Sequence, residues 1–187
     1  MENNHNNNNI NSNDLNTRRS MVTGMFADRE STENAYRSLH ERGYTKDDVN
    51  LIMSDETRKK HYSDENDHSD LGTKAAEGAG KGSAIGGTIG AIAGVIAAIG
   101  TSVVIPGLGL IIAGPIAAGL AGAGAGGITG GIIGALVGSG IPEDRAKHYE
   151  SGIKNGNVVM GVHPRNDEDA DYIENSWRSH KGQEIYR

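Results

Sequence analysis

Cysteine is absent from the 187-residue chain, which also holds only four prolines, one tryptophan and one phenylalanine. Without cysteine there is no disulfide framework and no thiolate zinc site. Aromatic residues make up 4% of the total, so any globular core must be small. Lys and Arg number 18 against 24 Asp and Glu, and the resulting net charge of −6 argues against a nucleic-acid binder. Charge is missing altogether from Gly82 to Pro142, a run of 61 residues. The opening stretch carries nine Asn between Asn3 and Asn16 and no apolar segment. Residues 1–20 therefore read as a disordered Asn-rich tail without a secretory signal. A reducing cytoplasm, or its membrane, is the expected location.

Glycine is present in excess. Average usage near 7% predicts roughly 13 glycines in this length, whereas 28 occur, 21 of them between Gly78 and Gly140. Collagen is excluded, since there is no three-residue period and too little proline. The chain divides accordingly into the tail, a first α/β half at 21–56, a polar linker at 57–77, a glycine-rich hairpin at 78–140 and a second α/β half at 141–187.

The first half opens with Met21-Val-Thr-Gly-Met-Phe26, rich enough in β-formers for a strand. Ser31 or Thr32 is placed to cap a helix whose apolar face holds Ala35 and Leu39, and Gly43 is placed to end it. Val49-Asn-Leu-Ile-Met53 supplies a second strand. In the second half, Pro142 suits the first position of a helix with Ala146, Tyr149 and Ile153 inward, closed by Gly156. A strand at Val158–Val162 follows, then a helix from Asp169 to Ser179 with Ile173 and Trp177 inward, then a last strand at Glu184–Tyr186. Gly161 answers Gly24 at an offset of 137, and Ile173 and Trp177 answer Ala35 and Leu39 at 138. Two such halves around an insertion predict one α+β domain, a split ferredoxin-like β-α-β … α-β-α-β fold.

The insertion repeats glycine every four residues, at Gly78, Gly82, Gly86, Gly90 and Gly94, and again at Gly122, Gly126, Gly130, Gly134 and Gly138. Period four keeps these on one helical stripe, where missing side chains let a second backbone come close. Ile85, Ile89, Ile92, Ile96 and Ile99, then Ile128, Ile132, Ile133 and Val137, are expected on the outside. Each glycine costs about 0.8–1 kcal/mol relative to alanine in a helix in water, whereas in lipid the helix is compulsory. Ser83–Ile105 and Ile116–Ser139 are 23 and 24 residues long, enough at about 1.5 Å per residue to span a ~30 Å hydrocarbon core. Lys74, Lys81, Arg145 and Lys147 flank the pair and the Pro106–Gly109 turn has no charge, which predicts both ends on the cytoplasmic side. The alternative is a helical pair sheltered within a soluble oligomer.

Signals for chemistry are weak. Gly80-Lys81 fails the phosphate-loop pattern at Ala75 and Gly82, and Gly122-x-Gly124-x-x-Gly127 has no strand leading into it. His61, Asp64, Glu65, Asp67, His68 and Asp70 lack a scaffold and read as a solvated linker rather than a metal site. Arg58, Lys59 and Lys60 form a short basic patch, better read as solvated than as a contact to anionic lipid. No nucleophile elbow or carboxylate pair appears. Neither an enzyme nor a cofactor, metal or small-molecule substrate is expected.

Five stretches carry a resemblance to a known family. They are Val22-Thr-Gly-Met-Phe-Ala-Asp-Arg29, Leu39-His-Glu-Arg-Gly-Tyr44 with Asp47-Asp-Val-Asn-Leu-Ile52, and Ile141-Pro-Glu-Asp-Arg-Ala-Lys-His-Tyr149 with Gly156-Asn-Val-Val-Met-Gly-Val162. They resemble the bacterial general stress protein 17M-like (heat-induced stress protein) family, here with a glycine-zipper insertion, over residues 21–187. The resemblance implies a stress-associated, non-enzymatic protein and brings no catalytic residues. The expectation is a membrane-associated protein that packs against lipid and against further copies of itself through its glycine rows. A soluble interaction or ligand-binding module is the alternative.

Overall fold

The computed structural model describes residues 20–62, 103–105, 107–117 and 131–187. In chain order these form β1 (Val22–Phe26), α1 (Arg29–Glu41), a short 3₁₀ turn (Lys46–Asp48), β2 (Val49–Ser54) and α2 (Asp55–His61). They continue with β3 (Val103–Ile105), β4 (Leu110–Ala113), α3 (Gly131–Gly138), α4 (Glu143–Lys154), β5 (Val158–Val162), α5 (Asp167–Ser179) and β6 (Gln183–Tyr186). The strands make one sheet in the order β3-β4-β2-β5-β1-β6, antiparallel at every pairing.

The expected α+β class is therefore present. The β1-α1-β2 and β5-α5-β6 units interleave, because β5 lies between β1 and β2 while β1 lies between β5 and β6. Asp28, and not Ser31 or Thr32, caps α1, its carboxylate accepting from the Ser31 backbone N–H at 2.7 Å. Gly43 ends α1 at a φ of +85°, as expected of its position. Pro142 is the cap residue of α4 and Glu143 its first helical residue. Asn166 caps α5, placing the acidic run Asp167–Asp169 in its first turn. Residues 57–61, which read as linker, continue α2, and Tyr62 beyond them is buried.

Strand alternation sends side chains to two separate cores. On one face Val22, Phe26, Val49, Leu51, Met160 and Val162 meet Ala35 and Leu39 of α1 and Ile173 and Trp177 of α5. On the other, Met25, Ile52 and Val159 meet Ala146, Tyr149 and Ile153 of α4. The offset of 138 between the two helices thus holds for the strands as well. Gly24 and Gly161, at 137, face opposite sides: a β-carbon on Gly24 would lie 2.8 Å from the Trp177 ring, and one on Gly161 would lie 2.9 Å from Met21 Sδ. An odd offset in a strand reverses the face.

The middle of the glycine-rich insert departs most from expectation. Val103–Ile105, predicted as the end of a first long helix, is a strand, and β3 and β4 pair antiparallel with a turn at residues 107–109. β4 pairs with β2 in the register Leu51↔Ala113 to Ser54↔Leu110, so the turn predicted at the tip of a helical hairpin belongs to the central sheet. α3 covers the described end of the expected 116–139 span, and residues 118–130 of that span lie outside the described residues. Among the described residues no helix is long and apolar enough to cross a membrane.

Candidate functional site

The insert meets the sheet at Asn50. In β2, Val49, Leu51 and Met53 point to the α1/α5 face, so Asn50 and Ile52 point to the other. Asn50 is 1% exposed and needs hydrogen-bond partners there. Its Oδ1 accepts the Ile116 backbone N–H at 2.9 Å. Its Nδ2 donates to the Gly161 carbonyl at 3.4 Å and to Met21 Sδ at 3.7 Å. One carboxamide therefore joins β2, β5, the entry to β1 and the returning insert.

Gly114 permits this approach. Its φ is +104°, and a β-carbon there would stand 2.2 Å from the Val49 carbonyl oxygen. Ile105, Leu110, Ile112, Ala117, Ile132, Ala135 and Leu136, all from the charge-free run, complete the core on this face. The inward side of α3 is thus Ile132, Ala135 and Leu136, with Gly134 half-buried and Val137 and Gly138 exposed. That is the reverse of the expected arrangement for Ile132, because the hydrophobic gain lies in burying branched side chains on the sheet.

Along the same face, Tyr149 is fully buried with its hydroxyl 2.8 Å from Thr23 Oγ1 and 2.7 Å from the Glu184 carbonyl oxygen. Burial pushes the Tyr149 phenol well above its ordinary range and keeps it neutral. Glu184 has a φ of +47° at a register shift between β6 and β1. Arg145 lies 4.8 Å over the Tyr186 ring and donates to the Arg187 carbonyl at 3.0 Å, while Arg187 reaches Asp167 and Asp171 at 2.7 and 2.8 Å. The β6 edge is tied down on both faces.

A second polar cluster joins the two halves across α1 and α5. Asp169, 4% exposed, accepts from Arg42 Nε and from the Tyr44 hydroxyl, each at 2.8 Å. Arg165 stacks 4.1 Å over the Tyr44 ring, and its backbone N–H donates to the Tyr44 hydroxyl at 3.1 Å. Burial raises the Asp169 pKa, but hydrogen bonds from Tyr44 and Arg42 and the nearby guanidinium charges outweigh it, leaving the carboxyl below its usual range. Burial likewise pushes Tyr44 up to about 12. The paired Asp169, Arg42 and Tyr44 thus form a staple between the two halves.

Of the glycine rows, Gly134 and Gly138 fall in α3. Gly78, Gly82, Gly86, Gly90, Gly94, Gly122, Gly126 and Gly130 lie outside the described residues. So do five of the six residues weighed as metal ligands, all but His61, and among the described residues no cluster of three or more His, Asp or Glu could hold an ion. In the basic patch, Arg58 and Lys59 both pair with Asp55, at 3.2 and 2.6 Å.

Asn50 carries the junction, and sequence reasoning does not single it out as a junction residue. The available signal is the one amide in the apolar run Val49-Asn-Leu-Ile-Met53, a position where burial demands a partner from elsewhere in the chain. Compared with known proteins, the chain matches no family model, no curated protein and no solved structure.

Proposed function

We propose that this chain is a non-enzymatic, self-associating protein of general stress type, in which the sheet domain is a platform and the glycine-rich insert is the assembly surface. The observation that carries the reading is the shared core of Ile105, Leu110, Ile112, Ala117, Ile132, Ala135 and Leu136 with the sheet, which roots the insert on the domain. On α3, Val137 and Gly138 are exposed and Gly134 half-buried, and the two glycines leave room for a second copy's backbone to approach closely. The resemblance of residues 21–187 to general stress proteins agrees with such a role.

The test is the solution mass of the full chain by light scattering, compared with a chain carrying Gly134→Leu and Gly138→Leu. Leucine is the better helix former by up to about 1 kcal/mol per site, so a lower mass with unchanged circular dichroism reports a lost interface. Equal masses for the two chains would sink the proposal.

A second reading places the insert in a lipid bilayer, with oligomers packed through the same glycines. It is favoured by the 61 charge-free residues from Gly82 to Pro142. Carbonate extraction of cell membranes separates the two readings: retention in the pellet supports insertion, and release to the supernatant supports the rooted assembly surface.

A further inference from the structure

We infer that Met21 is a modification site, an oxidation-responsive latch on the junction between insert and sheet. Its sulfur lies 3.7 Å from Asn50 Nδ2, on the carboxamide whose Oδ1 holds the Ile116 N–H at 2.9 Å. The thioether fits there because Gly161 has no side chain: a β-carbon on Gly161 would lie 2.9 Å from Met21 Sδ, 3.3 Å from Cε and 3.5 Å from Cγ. The slot is filled by the thioether as it stands.

Exposure separates this methionine from others in the sheet. Met21 and Met25 retain 8% and 7% of their surface, whereas Met53 and Met160 retain 1% and 0%. Susceptibility to oxidation follows that access. A two-electron oxidant of the hydroperoxide class, such as hydrogen peroxide, supplies the oxygen. The sulfur lone pair attacks one oxygen of hydrogen peroxide, the O–O bond breaks, a sulfur–oxygen bond forms, and the proton of the transferred oxygen passes to the departing hydroxide, which leaves as water. Sulfur is oxidised by two electrons and the peroxide is reduced by two.

The product differs from the thioether in bulk and in polarity. The added oxygen is a stronger acceptor than sulfur for Nδ2, and its bulk is met by a shift of the Met21 end or of the carboxamide. Turning the carboxamide toward the sulfoxide withdraws Oδ1 from Ile116 and frees the insert at its root. This mechanism lies within one chain and does not depend on self-association.

The experiment treats the full chain with hydrogen peroxide under native conditions and maps added oxygen by peptide mass spectrometry. Amide exchange at Ile116 is followed in parallel. Met21 is expected to gain oxygen at least tenfold faster than Met53 and Met160, and Ile116 to lose at least tenfold of its protection. A chain carrying Met21→Leu and Met25→Leu keeps that protection after the same treatment, a chain carrying Met25→Leu alone loses it, and methionine sulfoxide reductases of both epimer specificities restore it to the oxidised protein. Equal oxidation of Met21, Met25, Met53 and Met160, unchanged Ile116 protection after Met21 oxidation, or equal loss in the Met21→Leu/Met25→Leu chain would overturn the assignment.

Discussion

The backbone N–H of Ile116 donates to the side chain of Asn50 at 2.9 Å, across 66 positions of sequence. Asn50 sits in the second strand of the sheet, and Ile116 sits in the charge-free run at the expected start of the second membrane span. The bond therefore closes the insert onto the domain that it interrupts, beside the pairing of β4 with β2.

Replacing Asn50 by leucine leaves the Ile116 N–H buried without its acceptor. The expected loss is about 1–3 kcal/mol of unfolding free energy, read from urea denaturation. Gly114→Ala is expected to cost more than an ordinary helix or strand substitution. Its φ of +104° and the 2.2 Å approach of the Val49 carbonyl both oppose a β-carbon. Wild-type stability in both variants would show that the junction contributes little.

Glycines in the two faces are expected to respond unequally to alanine. At Gly24 the new β-carbon meets the rigid Trp177 ring at 2.8 Å, whereas at Gly161 it meets the thioether end of Met21, which can swing away. Gly24→Ala should cost about 1–3 kcal/mol as an overpacked core does, and Gly161→Ala less. Thermal melts of the two variants decide the order, and a larger loss at Gly161 contradicts it.

Acid should loosen the staple between the halves. The Asp169 carboxyl titrates below its ordinary value of 3.8 in the folded chain, so the unfolded chain takes up its proton first as pH falls. Its contribution is fully present above the ordinary value and is lost as pH drops through the folded one. Asp169→Asn is expected to lower stability at pH 7 by about 1.5–3 kcal/mol, as for a hydrogen bond to a charged group. The deficit should shrink between pH 5 and about pH 2, and a pH-independent deficit in chemical denaturation would remove the charge from the explanation.

Alkali acts through tyrosine. Burial pushes Tyr44 and Tyr62 up to about 12, against an ordinary value of 10. Between those values the unfolded chain ionises while the folded one stays neutral, so stability falls as pH rises from about 10 through 12. Tyr62→Phe should flatten that decline, measured as the urea midpoint at pH 9 and pH 11. An unchanged slope would mean that Tyr62 ionises normally in the folded state.

Much of the sheet domain was legible because its signals are local. Ala35 with Leu39, and Ile173 with Trp177, repeat at helical spacing, and Gly43 and Gly156 mark helix ends. Aligning Gly24 with Gly161 sets the strand offset one residue short of the 138 that side-chain parity requires. The β3–β4 hairpin was missed for a different reason. Val103-Val-Ile105 and Leu110-Ile-Ile112 are runs rich in β-branched residues on either side of a Pro-Gly sequence, a strand signal in itself, but they lie within a continuous apolar stretch that also reads as helix. The junction could not be seen locally, since Asn50 finds its partner 66 residues away.

The claim that the turn of the insert belongs with the sheet is tested most directly by single-cysteine labelling, which the absence of native cysteine makes clean. Leu108→Cys reports the turn between β3 and β4, and Lys59→Cys reports an exposed position on α2. Each is expressed in the full chain in bacterial cells and treated with a membrane-impermeant maleimide before and after lysis. The account predicts that both cysteines react under the same conditions, because β4 is hydrogen-bonded to the strand that leads into α2. Labelling of one in intact cells while the other stays protected until lysis would place a membrane between them and contradict it.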